Sequence, residues 1–343
     1  MLNKEKYELI YGNCLDELRK MPDNSVDCVI TSPPYWQQRI YEDSSGVMQC
    51  LGNEDSYEQY INNLLEIIDE IHRVLKKEGS FWLNIGDKFY NKQLVGIPWR
   101  VAIAMQDRGW ILRSDIIWDK MKGTQSCKDR FRDVYEHVFQ FAKSKKYYFD
   151  SDKIKIKPSL NATVTDKKTV SATGVTGKKY FEMIKKTEFL TPEEKENATS
   201  ALNDVLKEIR NGQVNDFRMT LRGEQRSYHS NNTKISGRAK ELHDKGFYII
   251  KMKSDGFVPS NIWRIVPEDK WRRDAHCAVF PKELLQMPIL STCPENGIVL
   301  DPFVGTGSTI CEALLLKRRA IGIDISDIYL KTAQKRIDSL KHE

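Results

Sequence analysis

The sequence of 343 residues lacks the patterns of several protein classes. Its seven cysteines are scattered and form no Cys-x-x-Cys pair, so neither a zinc site nor a disulfide framework is expected. No stretch approaches the roughly 18 apolar residues that a membrane span needs. Residues 1–6 contain no apolar segment like the core of a signal peptide. These absences predict a reduced, cytoplasmic protein without a metal site.

The positive charge is concentrated in one part of the chain. The formal net charge is +6, and residues 151–270 carry 23 Lys and Arg against 16 Asp and Glu. That surplus of 7 leaves −1 for all other residues. A basic block in an otherwise balanced chain favours a polyanionic partner. The alternative is a solvated polar insert.

One segment of this block, residues 217–253, has nine Lys and Arg but only three acids. Such side chains bind phosphates, and Arg and Lys can also bind base edges. The candidates for binding nucleic acid are Arg218, Arg222, Arg226, Lys234 and Arg238. An extended charged loop is the alternative interpretation.

A glycine-containing turn near the end of the chain predicts a nucleotide-type site. The apolar run 298–300 predicts a buried parallel strand, and the segment 309–316 predicts a helix. The turn between them, Asp301-Pro302-Phe303-Val304-Gly305-Thr306-Gly307, lets a ligand approach the backbone and the helix N-terminus. Asp324 ends the next predicted strand, 23 residues after Asp301, where an acid can meet ribose hydroxyls. The alternative is a turn that packs a helix, with Asp324 capping the following one.

A second candidate site follows a strand predicted over residues 25–30. The chain continues as Thr31-Ser32-Pro33-Pro34-Tyr35-Trp36. Two prolines cannot continue a central strand, so they form a stiff loop at its carboxyl end, where open α/β sheets place ligands. A loop that presents a hydroxyl, free carbonyls and an aromatic ring suits a planar group with an exocyclic amine. A structural proline turn is the alternative.

Strands and helices alternate over the rest of the chain. A helix is predicted over residues 57–77 and ends near Gly79, and the next strand covers residues 81–85. This alternation predicts an α/β fold with a doubly wound, mostly parallel, Rossmann-like sheet.

Together, the proline loop and the glycine turn resemble the beta-class DNA amino-methyltransferases of restriction–modification systems. The loop comes first and the turn last, which is the permuted order of that class. The resemblance implies a catalytic half at residues 1–150, a target-recognition insert at 151–260 and a cofactor-binding half at 261–343. It also implies S-adenosylmethionine as cofactor and double-stranded DNA as partner. A cognate restriction endonuclease would act separately, and the chain would be a monomer or homodimer.

The resemblance also assigns roles to residues. Ser32, Pro33, Pro34 and Tyr35 would be catalytic, with Tyr35 stacking on a flipped base and Trp36 assisting it. The implied cofactor-binding residues are Asp16, Asp301, Phe303, Gly305, Gly307, Ser308 and Asp324. Residues 12–16 resemble the adenine-contacting segment of the family, and residues 276–281 resemble the segment at the methionine end of the cofactor.

Serine at position 32 and Trp36 after the loop resemble the cytosine-N4 branch of the family, whereas aspartate at the first position is commoner among adenine-N6 enzymes. The resemblance therefore implies methylation of cytosine N4, with adenine N6 as the alternative. The sequence contains no Pro-Cys dipeptide, which excludes the usual cysteine nucleophile of cytosine-C5 enzymes. Glutamine methylation of proteins uses a similar loop but the opposite motif order. A non-catalytic DNA-binding protein with a relic cofactor fold is the remaining alternative.

Overall fold

The strand that leads into the proline loop and the strand that leads into the glycine turn are neighbours in one large sheet. The computed structural model describes residues 6–38, 42–43, 46–47, 51–121, 127–165, 168–223, 237–267 and 280–340. It divides the chain into two units, residues 1–154 with 260–343, and residues 155–259. In the described ranges no helix has the length and apolar character needed to cross a membrane.

The described secondary structure comprises short hairpin strands, sheet strands and helices. The strands are β1 (Tyr7–Tyr11), β2 (Val26–Thr31), β3 (Glu42–Asp43), β4 (Gly46–Val47), β5 (Leu75–Ile85), β6 (Phe89–Tyr90), β7 (Gln93–Leu94), β8 (Ile111–Asp119), β9 (Tyr135–Ala142), β10 (Thr163–Thr165), β11 (Lys168–Val170), β12 (Val214–Leu221), β13 (Phe247–Lys253), β14 (Ile262–Arg264), β15 (Ile298–Asp301) and β16 (Arg319–Asp324). The helices are α1 (Cys14–Lys20), α2 (Tyr57–Val74), α3 (Ile97–Asp107), α4 (Lys178–Lys186), α5 (Pro192–Arg210), α6 (Arg238–Lys245), α7 (Lys282–Thr292), α8 (Ser308–Leu315) and α9 (Asp327–Ser339).

The large sheet has eight strands in the order β1-β16-β15-β2-β5-β9-β8-β14. All neighbours pair in parallel except that β9 is antiparallel to both β5 and β8. Side chains of α1, α2 and α3 pack in one apolar cluster, and those of α7, α8 and α9 pack in a second. The predicted α/β, mostly parallel sheet is therefore confirmed.

The order of the strands creates a switch point between β2 and β15. From β2 the chain crosses through α2 to β5 on one side, and from β15 it crosses through α8 to β16 on the other. Because neighbouring connections leave in opposite directions here, a crevice forms at the carboxyl ends of the two strands. The proline loop and the glycine turn both start at this crevice.

The long helix α2 ends three residues earlier than the sequence predicts, at Val74. Leu75 is fully buried and pairs with Val26, so the chain is already extended at that point. Gly79 lies inside β5, where an added Cβ would come 2.5 Å from Leu75 Cδ1 and 2.9 Å from the Asp27 carbonyl. Gly79 therefore permits close packing of the strand and does not end the helix.

Residues 155–259 have an apolar core of their own. Antiparallel strands β12 and β13 pack with the helices α4 and α5. The Thr191 hydroxyl accepts from the Glu194 N–H, and the Glu194 carboxylate accepts from the Thr191 N–H, so α5 begins with a reciprocal capping box. The described part of this unit thus contains packed helices and strands, while residues 224–236 of the charged segment lie outside the described residues.

Candidate functional site

Glycine is needed at positions 305 and 307 of the turn for different structural reasons. Gly307 precedes α8 at φ +83°, and an added Cβ would lie 2.7 Å from the Ala333 Cβ. Gly305 has φ +50°, but an added Cβ would meet no atom within 4 Å. Gly307 therefore lets the turn pack on α9, whereas Gly305 combines a left-handed backbone with open space.

Asp301 ties the ends of the two central strands together. Its carboxylate accepts hydrogen bonds from Thr31 Oγ1 at 2.6 Å, Thr309 Oγ1 at 2.6 Å and the Phe303 N–H at 3.1 Å. The residue is 2% exposed, and burial raises the pKa of its carboxyl from 3.8 to about 6 against the opposing effect of the hydrogen bonds. Asp301 therefore joins the end of β2 to the glycine turn and to α8 through hydrogen bonds. Its assignment as a cofactor-binding residue stays a prediction.

A buried arginine that sequence reasoning missed supports the same turn. Arg336 of α9 donates from Nη1 to Thr306 Oγ1 at 2.9 Å, to the Thr306 carbonyl at 3.2 Å and to Ser308 Oγ at 3.0 Å. Ser308 is buried, and this bond holds its hydroxyl. The available signal was an arginine on the buried face of α9 beside Ile337, three residues after Ala333.

Asp324 ends β16 beside the glycine turn. Its Oδ2 accepts from the Gly305 N–H at 2.8 Å, and its Oδ1 accepts from the Ser326 N–H at 2.9 Å. Burial raises the pKa of the Asp324 carboxyl. Ser326 caps α9 through its own side chain, which accepts from the Tyr329 N–H. The Ile325 N–H also interacts with this carboxylate. A carboxylate has about four lone-pair sites, so these three backbone contacts leave acceptor capacity for a ligand.

The proline loop is held by the groups around it. Ser32 Oγ donates to the Tyr35 hydroxyl at 3.1 Å, and the Tyr60 hydroxyl donates to the Pro34 carbonyl at 2.9 Å. Trp36 is only 1% exposed, and its Nε1 donates to the Glu54 carbonyl at 2.8 Å. Trp36 is thus a core residue that anchors the loop, and it does not support the predicted role beside a flipped base.

A cleft of about 600 Å³ opens at the switch point. Residues of the proline loop and the glycine turn line it, together with the start of α1. Helix α2 and the segment that precedes it complete the lining. The residues that line it are Asn13, Cys14, Leu15, Ser32, Pro34, Leu51, Asn53, Glu54, Asp55, Gln59, Asn63, Glu66, Ile67, Pro302, Phe303, Gly305, Asp324, Ile325 and Tyr329. Among these described residues are four acids and no Lys or Arg, so the cleft favours a cationic ligand.

Residues 12–16 contribute to the cleft, but Asp16, the predicted cofactor-binding residue of this segment, does not line it. Asn13 caps α1 by accepting from the Leu15 N–H at 2.9 Å, and Asn13, Cys14 and Leu15 line the cleft. The side chain of Asp16 is 65% exposed and lies 3.8 Å from Arg19, away from that lining. The helix cap at Asn13 was the sequence signal for the residues that do line the cleft.

The structure brings together some predicted site residues and separates others. Ser32, Pro34, Phe303, Gly305 and Asp324 share the cleft lining. Pro33 is buried in the loop, and Tyr35 lies behind Ser32, in hydrogen-bond contact with it. Asp301, Gly307 and Ser308 support the turn from behind.

The predicted DNA-binding residues of the insert also differ from one another. Arg218 on β12 and Arg238 on α6 are exposed. Arg222 is engaged internally, because its guanidinium donates to Glu194 and to the carbonyls of Phe189 and His243. Arg226, Lys234 and the segment 276–279 lie outside the described residues.

Behind Tyr35 lies a polar network that sequence reasoning also missed. The Tyr35 hydroxyl donates to Glu136 Oε2 at 2.9 Å, and Asn84 Nδ2 donates to the same oxygen at 3.0 Å. Lys120 Nζ donates to the other oxygen, Glu136 Oε1. Asn84 lies on β5, Glu136 lies on β9 and Lys120 directly follows β8, so the network connects the proline loop to this part of the sheet.

Comparisons with known proteins agree with this geometry. A family described as DNA methylases matches residues 26–335. The Type II methyltransferase M.SfiI of Streptomyces fimbriatus is 31% identical over 94% of this chain and 89% of its own length. The DNA adenine methyltransferase YhdJ of Escherichia coli K12 is 25% identical over 98% of this chain and 85% of its own.

A solved structure shares the fold. The cytosine-N4-specific PvuII DNA methyltransferase has a TM-score of 0.58 at 17% identity, and the match covers 96% of this chain and 86% of that one. S-adenosylmethionine is the methyl donor of this chain, as it is of the family. The permuted order of loop and turn, the shared cleft and these matches lead to one conclusion: the chain belongs to the DNA methylase family and is a beta-class, S-adenosylmethionine-dependent amino-methyltransferase of restriction–modification type.

Proposed function

We propose that the chain methylates the N4 amine of cytosine at a specific sequence in double-stranded DNA. One observation carries this proposal: Ser32 and Pro34 of the proline loop line the same cleft as Phe303, Gly305 and Asp324. The loop suited to an exocyclic amine and the turn suited to a nucleoside therefore border one space. A methyl donor in one part of the cleft would lie beside an amine held in the other.

The cleft residues fit S-adenosylmethionine, which supplies a methyl group on a positively charged sulfonium. The cofactor carries a net positive charge, and the described lining has acidic side chains without a Lys or Arg. Asp324 would accept from the ribose hydroxyls, and the Phe303 ring would pack against the cofactor. Asn13 offers an amide to the adenine, and the open side of Gly305 leaves room for the ligand at the backbone.

The proline loop would act on the target amine by position and electrostatics. The lone pair of an exocyclic base amine is delocalised into the ring, which makes the amine a poor nucleophile. If Ser32 Oγ and the Pro33 carbonyl accept its two N–H groups, they favour a more tetrahedral nitrogen and aim its lone pair at the methyl group. Such alignment and fixed dipoles lower the barrier without a covalent enzyme intermediate.

The target base must first leave the duplex stack, at a cost of a few kcal/mol. Stacking on an aromatic ring contributes roughly 1–3 kcal/mol per base, so a stack on Tyr35 would offset much of that cost. The exposed basic residues of the insert would hold the DNA phosphates. A cognate restriction endonuclease would cut the unmodified site as a separate protein, and the methyltransferase would act as a monomer or homodimer.

Cytosine is favoured because Ser32 opens the loop and because the fold matches that of a cytosine-N4-specific enzyme. Adenine N6 is the second candidate, since a relative that matches nearly the whole chain is a DNA adenine methyltransferase. Both bases present an exocyclic amine, so the proposed roles of Ser32, Pro33 and Tyr35 apply to either.

The test is methylation of duplex DNA by the purified chain, with the product identified by mass spectrometry of digested DNA. We expect N4-methylcytosine from the wild type and almost none from Tyr35→Ala. The affinity of this variant for S-adenosylmethionine, measured by calorimetry, should stay within about twofold because Tyr35 does not line the cleft. Tyr11→Ala, which removes a 59%-exposed tyrosine from β1, is the matched control and should stay fully active.

Three outcomes separate the parts of the proposal. N6-methyladenine as the product overturns the base and leaves the reaction class standing. Full activity of Tyr35→Ala overturns the assignment of the proline loop. The absence of any methylated amine with wild type on DNA that contains all candidate sites overturns the function itself.

A further inference from the structure

The hydroxyl of Tyr35 lies between a candidate catalytic group and a buried charge. On one side it accepts from Ser32 Oγ at 3.1 Å, and on the other it donates to Glu136 Oε2 at 2.9 Å. The Glu136 side chain is 13% exposed and paired with Lys120, which is 26% exposed. The chain of hydrogen bonds thus runs from the cleft, through two hydroxyls, to an ion pair.

The chemistry of Glu136 fixes the direction of this chain. An ionised carboxylate only accepts hydrogen bonds, so a phenol beside it has to donate. Burial, followed by the charge of Glu136, raises the pKa of Tyr35 well above its ordinary value, and the phenol keeps its proton. The Tyr35 hydroxyl has two acceptors, the charged Glu136 Oε2 at 2.9 Å and the neutral Asn84 Oδ1 at 3.4 Å. Its single proton is directed to the nearer, charged oxygen, and its own oxygen is left to accept from Ser32.

The same direction determines what Ser32 offers to the cleft. With its own proton donated to Tyr35, the Ser32 oxygen presents only lone pairs to the space that it lines. An amine that must donate an N–H and keep its lone pair free needs such an acceptor. If the chain of hydrogen bonds were reversed, Ser32 would donate its proton toward the amine nitrogen and compete for the lone pair that attacks.

Two further contacts hold Glu136 in this arrangement. Asn84 Nδ2 donates to Glu136 Oε2 at 3.0 Å and to the His137 carbonyl at 3.1 Å. Since both partners are acceptors, the amide group of Asn84 can only be oriented with its NH₂ toward them. Lys120 donates to Oε1 and also lies over the Trp118 ring, 4.9 Å from its centroid.

We propose that Glu136 is a positioning residue that sets the direction of the hydrogen bonds in the proline loop, so that Ser32 acts on the target amine purely as an acceptor. This inference rests on the proposed function, because it assumes that an exocyclic amine meets Ser32. It adds Glu136 and its partner Lys120 to the machinery, although neither lines the cleft.

The decisive variant is Glu136→Gln, which keeps the size of the side chain. Lys120 will attract the amide oxygen of the new glutamine, which turns its NH₂ toward Tyr35. The phenol then loses its strongest acceptor and is left with Ser32 Oγ at 3.1 Å and Asn84 Oδ1 at 3.4 Å, so its proton is no longer held away from Ser32. We expect the single-turnover methylation rate to fall about a hundredfold, the scale of a misaligned reacting group. The KM for S-adenosylmethionine should change less than threefold. In the double variant Lys120→Met with Glu136→Gln, the amide is free to turn its oxygen to Tyr35, and the rate should recover at least tenfold.

A second measurement does not depend on turnover. With 3-fluorotyrosine at position 35, fluorine NMR follows the ionisation of this one phenol as the pH rises. Glu136→Gln removes the charge beside the phenol, so the phenol at position 35 should ionise at lower pH in this variant. In a Tyr35→Phe background, Glu136→Gln should slow methylation less than threefold, because Glu136 acts only through the phenol.

The control is Asp27→Asn, which removes the charge from another partly buried pair. Asp27 is 12% exposed, bonds Lys76 at 2.8 Å and lies at the opposite end of β2 from the loop. It should change neither the methylation rate nor the fluorine titration. The inference is overturned by an unchanged titration in Glu136→Gln, by a double variant as slow as the single one, or by an equal loss of rate in Asp27→Asn. A wild type that methylates no DNA refutes the proposed function instead, while the titration still decides whether Glu136 holds Tyr35.

Discussion

Replacing Asp301 by asparagine should remove a pH dependence of folding that can be calculated. The carboxyl is fully buried, and its pKa is about 6 in the folded chain against an ordinary value of 3.8. A raised pKa means that the folded state binds the proton more tightly than the unfolded state. The contribution to stability is therefore fully present below about pH 3.8 and is lost as the pH rises through 6.

The size of the effect follows from the two pKa values. Between pH 7.5 and pH 5, protonation of Asp301 should stabilise the wild type by about 1.4 kcal/mol. Asparagine cannot titrate, so Asp301→Asn should lack this gain. The two proteins also differ by a pH-independent free energy of unfolding, which depends on how the amide contacts Thr31, Thr309 and the Phe303 N–H. This part cancels when the difference at pH 5 is compared with the difference at pH 7.5.

The assay is urea unfolding followed by tryptophan fluorescence at both pH values. All seven tryptophans lie outside residues 155–259, so the signal reports on the unit that contains Asp301. The free energy of unfolding of the wild type, minus that of the variant, should be about 1.4 kcal/mol larger at pH 5 than at pH 7.5. A difference that is independent of pH, or that shrinks on acidification, would refute the reasoning about the buried carboxyl.

Three further predictions concern the cofactor, the turn and the DNA. Asp324→Ala should weaken S-adenosylmethionine binding by roughly 10- to 150-fold in calorimetry, because a charged hydrogen bond contributes about 1.5–3 kcal/mol. Gly305→Ala should lower the free energy of unfolding by about 1–2 kcal/mol for its positive φ. Gly307→Ala should cost about 1–3 kcal/mol more, since its Cβ also overpacks Ala333. The double variant Arg218→Ala with Arg238→Ala should flatten the slope of log affinity against log salt by about 0.9 per lost phosphate contact.

Each of these predictions has a matched control. Asp69→Ala removes a surface carboxylate of α2 that is 54% exposed, and cofactor affinity should not change. Equal destabilisation by the two glycine variants would contradict the contact of Gly307 with Ala333. Arg222→Ala should destabilise the unit 155–259, because this guanidinium is bonded to Glu194 and to two carbonyls. An unchanged salt slope in the double arginine variant would place the DNA elsewhere.

Local patterns in the sequence were sufficient to predict the parts of the site that are contiguous in the chain. The proline loop and the glycine turn each follow a buried strand, and strand order then makes the two meet. Arg336 and Glu136 could not be found in this way, because they lie 28 and 101 residues from the groups that they bond. Their roles depend on which helix or strand packs behind the loop. Sequence reasoning also could not show that Arg222 is occupied internally, since its partner Glu194 belongs to the cap of a distant helix.

The bond from Thr31 to Asp301 joins residues 270 positions apart, and this has a consequence for the order of folding. In the sheet, β1 pairs with β16 and β2 pairs with β15, so β1 and β2 receive these partners only once residues 298–324 have been synthesised. A nascent chain that stops before residue 298 leaves hydrogen-bonding edges of β1 and β2 open, and such edges invite aggregation. The separation also gives this unit many non-local contacts, which slow folding relative to chains with local pairing. The arrangement that builds the cleft therefore makes it one of the last features of the sheet to form.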